Sequence, residues 1–587
     1  MANREGRDIA PFVASRRGRV IIVAAIALTT VYLAYRVTTL GTGWLLLLST
    51  PLLIVELLAF AQLLLLTVQA WRIPAEQAIP PLDDSPVCDI VIDAVGADER
   101  MLERTLIGVG SVALRGRVFV VDQDGGSSLR DMADAFGAIH VADTTPDRSR
   151  AHLLSDHVHS ELFVWLDAGQ VPMPDLLTHT IGRFRDPSVA VCQTAVGLLN
   201  ADSLVHIQRG RDEDALQREV LAPGLDRFGA APWFGSASIV RRAAIEDIDQ
   251  IDDVPADKPV SVEQTLVRLH ARGWKSVYAR EQLVRTIAPD TLDDYLRQRR
   301  DRAVAALGVF RTPENPLRAQ SLSPAQRMAH LGRASMFGAG VRQLVVVSIL
   351  VVALVSGRLP FEAPLAPVVA LWAPSLVLGA IARKHLARGS MKPGDWIRHA
   401  WRTLGADLAG LAAVAARRTT YAAESGPART GLRTLGRLRI LTAAVIALDI
   451  ALLARAATLF DTDLLPAFSA GERVAVLGFG LVALVPMVDV LQLVVTRRQR
   501  RRSFRLQVAL DIELGDTQAR TVDLATSGVG VLMGFSPAVG TTTSIRLRLP
   551  AIDGADRWIH GSAIVRAASA DPTGLVRVGL EFAHLSQ

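Results

Sequence analysis

Phe163-Val-Trp-Leu-Asp-Ala-Gly-Gln-Val-Pro172 decides how the middle of this chain reads. Its first four residues are apolar without alternation. That is the pattern of a strand covered by helices on both faces, and hence of a parallel strand in an α/β sheet. The run predicts Asp167 at the strand's C-terminal end, the side on which open α/β sheets bind ligands. Two residues on stands Gly169, so no second carboxylate accompanies the first there.

Around this strand, from Val87 to Arg302, short apolar runs alternate with helical segments. Cys88 to Ile92, Val118 to Val121, His140 to Ala142, Leu162 to Leu166 and Ala190 to Gln193 read as strands; Glu99 to Val112 and Ser128 to Phe136 read as crossover helices. A mostly parallel sheet with helices on both faces is expected.

The flanks of this block are of a different kind. Half of the 587 residues are hydrophobic and only 21% are charged, a balance pointing to an integral membrane protein. Val20 to Tyr35 reads as a signal anchor, because no small-residue cleavage site follows it. Trp44 to Val68 reads as a second span and carries Glu56, an intramembrane carboxylate that marks either a pathway or an interhelical contact, the contact being favoured. Gln343 to Ser356 and Ala363 to Ala382 would be spans three and four, Ile440 to Leu453 and Val474 to Val495 spans five and six, the last two carrying Asp449 and Asp489. Pro393 to Arg417, with Trp396 and Trp401, reads as an amphipathic interface helix.

The net charge of +6 comes largely from arginine, much of it flanking apolar segments, so topology explains it better than nucleic acid does. Residues 383–439 and 497–505 are the arginine-rich ones, which predicts both soluble domains on the cytosolic side. Two cysteines, Cys88 and Cys192, exclude a disulfide framework or a cysteine zinc site on number alone. His152, His157, His159 and His270 have no metal-ligand spacing and are expected to pack or face solvent.

The layout expected is a cytosolic tail at 1–19, spans at 20–72, the α/β domain at 87–302 and interface helices at 303–342. Spans at 343–382, a cytosolic or interfacial stretch at 383–439, spans at 440–496 and a terminal domain at 497–587 complete it. In that last block apolar and polar residues alternate over Gln507 to Glu513, Thr541 to Leu549, Trp558 to Arg566 and Arg577 to Phe582, which predicts a small antiparallel β-barrel.

Several segments of the middle block carry a family likeness: Arg104-Thr-Leu-Ile-Gly-Val109, Asp122-Gln-Asp-Gly-Gly126, Phe184-Arg-Asp-Pro-Ser-Val-Ala-Val-Cys-Gln-Thr194, Trp233-Phe-Gly-Ser236 and Leu269-His-Ala-Arg-Gly-Trp-Lys-Ser-Val-Tyr278. Together they resemble the membrane-bound processive glycosyltransferases of family 2, the group that includes bacterial cellulose synthase catalytic subunits. The terminal block resembles a PilZ domain, which binds cyclic di-GMP. Arg501 and Arg505 match its arginine pair, and Asp523 and Gly528 stand at the expected spacing; Ala525 replaces the usual serine, a loss of one hydroxyl worth about 1 kcal/mol. Two guanidiniums four residues apart suit bidentate phosphate contacts and stacking on guanine. Taken alone, the run Arg497 to Arg505 would read as a positive-inside flank of span six.

The resemblance also assigns roles to residues. Asp122 or Asp124 would hold the uracil end of a UDP-sugar, and Phe234, Gly235 and Ser236 would lie on the acceptor side. Asp167 would be the remaining ligand for magnesium or manganese, hard cations that take oxygen donors. Where the family places Thr-Glu-Asp with its catalytic base, this chain has Val262-Glu-Gln264; an amide cannot take the proton, and losing a base costs about 10²–10⁴-fold. Glu263 is the only nearby substitute. The Gln-x-x-Arg-Trp motif begins properly at Gln298 but continues to Asp301 and Arg302, placing a carboxylate where phosphate is expected and removing the aromatic platform. Arg150-Ala-His-Leu153 replaces the stretch that usually precedes the metal strand, and 414–427 holds no counterpart of the gating loop.

The resemblance therefore implies a multi-span α-helical membrane protein with an inserted family 2 glycosyltransferase-like cytosolic domain and a PilZ-like barrel. It implies a cyclic di-GMP-responsive component of exopolysaccharide synthesis or export whose catalysis is lost, partnered with an active synthase or a periplasmic export subunit. An active synthase polymerising a UDP-sugar is the alternative. A third reading is a nucleotide-sugar or glycan-binding scaffold that does not respond to cyclic di-GMP.

Overall fold

The computed structural model describes residues 12–13, 15–73, 86–122, 127–142, 157–199, 213–249, 261–289, 292–356, 358–416, 510–525, 527–535, 537–549, 557–570 and 575–585. Expectations for spans five and six, the gating loop beyond residue 416, His152, Asp124, Arg501 and Arg505 lie outside them. The chain divides into two compact units, the smaller containing residues 498–587.

Two long helices open the larger unit. Ser15 caps α1 (Arg16–Thr38) by accepting the Gly18 N–H at 3.1 Å, and α2 spans Leu46–Ala70. Arg36 and Tyr32 of α1 reach Glu56 of α2: the tyrosine hydroxyl donates to Oε1 at 2.5 Å and Arg36 Nε to Oε2 at 3.4 Å. The expected interhelical contact is thus present. It gives each buried polar group the partner that an apolar setting demands.

The α/β region follows with strands β1 (Cys88–Asp93), β2 (Arg115–Asp122), β3 (Ile139–Ala142), β4 (Leu162–Asp167), β5 (Val171–Pro172), β6 (Val189–Leu198), β7 (Ser238–Arg241) and β8 (Lys275–Thr286). They form one sheet in the order β3-β2-β1-β4-β7-β6-β8-β5. β1 pairs in parallel with both β2 and β4, and β2 with β3, whereas β7 runs antiparallel to β4 and β6. The expected strands are all present. β5, β7 and β8 are additions, and the antiparallel insertion of β7 qualifies the mostly parallel sheet.

Both faces of the sheet are covered, as the unbroken apolar runs require. Ile90, Ile92, Val164 and Leu166 pack into one core with Leu102 and Leu106, while the alternating Val91, Phe163 and Trp165 pack into another with Trp233, Val240 and Leu266. Each fully buried large side chain contributes about 1.5–3 kcal/mol. Cys88 and Cys192 are buried in this sheet, and neither is in a disulfide.

The helices of this region are α3 (Glu99–Gly110), α4 (Ser127–Ala135), α5 (Glu213–Leu216, continued by a π turn at Gln217–Leu221 and by Ala222–Asp226), α6 (Arg242–Asp249) and α7 (Val262–Ala271). After them come α8 (Leu292–Gly308), α9 (Pro324–Ser335), α10 (Ala339–Ser356), α11 (Leu365–Ala387) and α12 (Pro393–Ala415). A capping box, Ser323 with Gln326, and Pro324 in the first turn fix the start of α9.

Among the described residues three helices, Arg16–Thr38, Gly43–Ala70 and Ala366–Ala387, are long and apolar enough to cross a bilayer. The third expected span lies on α10. The amphipathic α12 packs on α8 and α10 and buries Thr403 and Asp407 there.

The smaller unit holds a closed six-stranded barrel: β9 (Asp511–Leu514), β10 (Thr517–Ala525), β11 (Gly528–Met533), β12 (Thr542–Leu549), β13 (Arg557–Ala570) and β14 (Val576–Leu585), ordered β9-β10-β11-β14-β13-β12. Closure leaves no free sheet edge. Val529, Val531, Val578 and Leu580 point inward, so Gly528, Gly530, Arg577 and Gly579 alternate outward.

Candidate functional site

Three carboxylates end three adjacent strands at one edge of the sheet: Asp122 on β2, Asp93 on β1 and Asp167 on β4. Asp93 and Asp167 are register partners. Asp93 escaped the sequence reading although it carries the same signal as Asp167, an acid closing an apolar run. Asp122 is buried, with His140 Nε2 3.9 Å from its Oδ2.

Asp167 is bound into a ring of hydrogen bonds. Its own N–H donates to Gln170 Oε1 at 3.1 Å, Gln170 Nε2 donates to Ser236 Oγ at 2.8 Å, and Ser236 Oγ donates back to Asp167 Oδ2 at 2.5 Å. The turn between Asp167 and Gln170 is made by Gly169 at φ +96°. Its N–H is shared between Thr105 Oγ1 at 2.8 Å and the Met101 carbonyl at 3.1 Å, both on α3. A β-carbon on Gly169 would stand 3.0 Å from Met101 Cε, in a conformation that side-chain-bearing residues rarely adopt.

These residues fit a divalent cation poorly. Where the family resemblance expects a second carboxylate, the chain has a glycine that the backbone itself favours, and Asp167 Oδ2 already accepts a hydroxyl. Among the described residues no group of three His, Cys, Asp or Glu side chains stands close enough to hold a metal.

Of the residues expected on the acceptor side, Phe234 is exposed, its N–H donating to Gln193 Oε1 at 2.9 Å. Gly235 turns at φ +94°, and Trp233 meets Trp165 edge to face at 5.7 Å between centroids. Ser236 belongs to the Asp167 ring. The Arg333 guanidinium of α9 lies 4.6 Å from the Phe234 ring centroid, and its Nε donates to Glu263 at 2.6 Å. Glu263, the acid next to Gln264, is therefore buried in an ion pair. Gln264 turns the other way, Nε2 donating to Glu314 at 3.2 Å. Glu263 and Gln264 diverge because consecutive residues on a helix lie about 100° apart.

The structure does not bring the altered motif on α8 into this ring. Arg299, next to the half-buried Gln298, is buried among Glu213 of α5, which it holds through Nη1 at 2.6 Å, Asp407 of α12 at 2.9 Å and the Met336 carbonyl at 2.9 Å. His399 also contacts Glu213. Burial works to raise the Glu213 carboxyl, but the charges of Arg299 and His399 outweigh it and hold Glu213 well below the usual range. Asp407 moves the other way, raised first by burial and further by the Glu213 charge, against the pull of Arg299. Two acids share one guanidinium, so their ionisations split. Asp301 pairs with Arg300 at 2.7 Å and Arg302 with Asp214 at 3.2 Å.

His270 fills a packing role, as expected of it. Its Nδ1 meets His330 Nε2 at 3.0 Å and its Nε2 meets Ser276 Oγ at 3.0 Å. Burial keeps both rings neutral, His330 down to about 4.

On the barrel, Asp523 is buried beside the outer face and paired with Arg577 of β14. Gly528 has a packing reason of its own: a β-carbon there would stand 2.2 Å from the Leu580 carbonyl oxygen. Arg577 escaped the sequence reading, because nothing local links it to a residue on β10.

Comparison with known proteins agrees with these two architectures. Residues 92–305 match the family described as glycosyltransferase like family 2, and residues 496–587 match the PilZ domain. The chain therefore carries a family 2 glycosyltransferase-like domain and a C-terminal PilZ domain. It is homologous to cellulose synthase catalytic subunits. Cellulose synthase 1 of Komagataeibacter xylinus is 28% identical over 353 residues, covering 57% of this chain and 22% of that protein. The UDP-forming cellulose synthase 1 catalytic subunit of the same species is 27% identical over 353 residues, covering 55% of this chain and 45% of that protein. The matched region thus spans less than half the length of either relative. Among solved structures, mannosyltransferase PcManGT from Pyrobaculum calidifontis superposes with a TM-score of 0.41 at 16% identity, covering 68% of this chain and 99% of that one.

Proposed function

We propose that this protein is a cyclic di-GMP-responsive membrane component of exopolysaccharide synthesis or export whose glycosyltransferase-like domain has lost catalysis. The observation that carries the loss is the ring joining Asp167, Gln170 and Ser236 above the positive-φ turn at Gly169. It satisfies internally the one acid that remains of a metal-binding pair. The pairing of Glu263 with Arg333 supports the same reading on the acceptor side. The PilZ domain supports the response to cyclic di-GMP, with Arg501, Arg505, Asp523 and Gly528 as the residues of that site.

The residue layout belongs to this reading too: spans within 20–72, 343–382 and 440–496 of an inner membrane, with the tail, the 87–302 domain and the 497–587 domain cytosolic. Its partner is an intact polysaccharide synthase or a periplasmic export subunit.

A second reading, an active synthase using a UDP-sugar with magnesium or manganese, draws on the homology and on the retention of Asp122 and Asp167. Asp167, Glu263 and Gln298 would then be working remnants and Phe234, Gly235 and Ser236 the acceptor side. A radiolabelled polymer assay on the purified full chain, with UDP-glucose, either metal and cyclic di-GMP, separates the two. No polymer is expected. Transfer that disappears on Asp167→Asn would reverse the conclusion in favour of an active synthase.

A further inference from the structure

A buried carboxylate in a small barrel has to be compensated. Asp523 has 4% of its side chain exposed, and its Oδ2 meets Nη2 of Arg577, which reaches it across β11 from β14. A register shift between Thr521 and Asp523 turns the acid toward Gly530, its partner on β11. Space for it depends on that glycine, since a β-carbon there would lie 2.8 Å from Asp523 Oδ1. Gly530 in turn faces Gly579 on β14, so neither of these two positions beside the pair adds a side chain to the outer face.

The ion pair is one-sided. The acid is enclosed, while the Arg577 side chain is 46% exposed. A guanidinium has five N–H donors in a fixed fork, and the bond to Asp523 engages one terminal nitrogen. Arg577 stands on the outer side of β14, beside the core-facing Val578, so the exposed part of the fork is open to a ligand.

We propose that Arg577 is a third arginine of the cyclic di-GMP site, contributed by the barrel wall: it holds Asp523 in place and presents its outward donors to a phosphate of the dinucleotide. This rests on the reading that the PilZ domain binds cyclic di-GMP. Arg501 and Arg505 come from the segment that precedes the barrel, whereas Arg577 is fixed on a strand before ligand arrives. A pre-oriented fork loses less freedom on binding than a free side chain does.

The test is calorimetric titration of the detergent-solubilised full chain with cyclic di-GMP at low and moderate salt. Arg577→Ala should weaken binding at least tenfold and flatten its salt dependence, because one phosphate contact is lost. Arg577→Gln keeps a donor for Asp523, and hence the fold, while removing the charge; at least fivefold weakening is expected with an unchanged barrel melting temperature. Arg546→Ala, an exposed barrel arginine paired with Glu513, should stay within twofold of wild type. A folded Arg577→Gln variant with wild-type affinity and salt dependence would overturn the proposal alone. Absence of binding by the wild-type protein would instead remove the underlying cyclic di-GMP reading, and this inference with it.

Discussion

Ser236 donates its hydroxyl to Asp167 Oδ2 at 2.5 Å, joining the acid that ends β4 to the loop entering β7. A hydrogen bond to a charged acceptor contributes about 1.5–3 kcal/mol when protected, and less here because Asp167 is only half-buried. Ser236→Ala should therefore lower stability by about 1 kcal/mol. Asp167→Ala should cost little more in the Ser236→Ala background than Ser236→Ala costs alone. Thermal unfolding of the four members of that double-mutant cycle reads the coupling directly. Strict additivity would mean that the two side chains do not interact.

Arg299 carries the largest stability prediction. Its removal leaves Glu213 and Asp407 buried beside each other without a cation, and breaking such a cluster costs about 3–5 kcal/mol. Its two acids should respond in opposite ways. Glu213→Gln should destabilise clearly at neutral pH, whereas Asp407→Asn keeps an oxygen for Arg299 Nε, removes a charge that burial disfavours and should change stability by less than about 1 kcal/mol.

The pH dependence follows from the depressed Glu213 carboxyl. A group whose pKa falls on folding stabilises the fold above its unfolded value, about 4.3, and that contribution is lost as pH drops through the folded value. The wild-type melting temperature should therefore fall on acidification below about 4.3. Glu213→Gln should flatten that fall. A Glu213→Gln variant with the full acid sensitivity of wild type would show that Glu213 is not depressed in the folded protein.

The sequence disclosed what is local. A buried strand ending in an acid follows from six consecutive residues, Leu162 to Asp167, and the barrel's alternation is visible in Thr541 to Leu549. β8 was harder to see because it is largely polar, and β7 because it is four residues long. The partners that give the site its character lie far apart in sequence: Thr105 and Met101 beneath Gly169, Arg333 against Glu263, Asp407 against Arg299, Arg577 against Asp523. No periodicity links such pairs, since only the crossing of helices and the pairing of strands brings them together.

Gly528 illustrates how a residue matched to a ligand motif acquires a second explanation. With a β-carbon 2.2 Å from the Leu580 carbonyl oxygen, Gly528→Ala must push β11 away from β14. Overpacking of this kind costs about 1–3 kcal/mol, and more where backbone is struck. The barrel's melting temperature should fall, and proteolysis within residues 510–585 should accelerate, without cyclic di-GMP present. Lost ligand binding in such a variant would report unfolding; an unchanged melting temperature would return Gly528 to a purely ligand-facing role.

Sequence comparison alone recommends restoring chemistry by Gly169→Asp, Gln264→Asp, Asp301→Arg and Arg302→Trp together, since groups that act as a unit recover little one at a time. The structure makes the first of these the difficult one. At φ +96° an aspartate pays backbone strain of about 1–3 kcal/mol, its β-carbon meets Met101 Cε, and the Gly169 N–H is already committed to Thr105 and the Met101 carbonyl. Arg300 and Asp214 would also lose their present partners, Asp301 and Arg302. The fourfold variant is therefore expected to melt lower than wild type and to make no polymer from UDP-glucose with magnesium or manganese. Adding Met101→Ala relieves the contact but not the strain, so it should recover part of the melting temperature and none of the transfer. Metal-dependent polymer from the fourfold variant, with none from wild type, would show that the turn at Gly169 rebuilds readily, and that the proposed loss of catalysis lies in the substituted side chains alone.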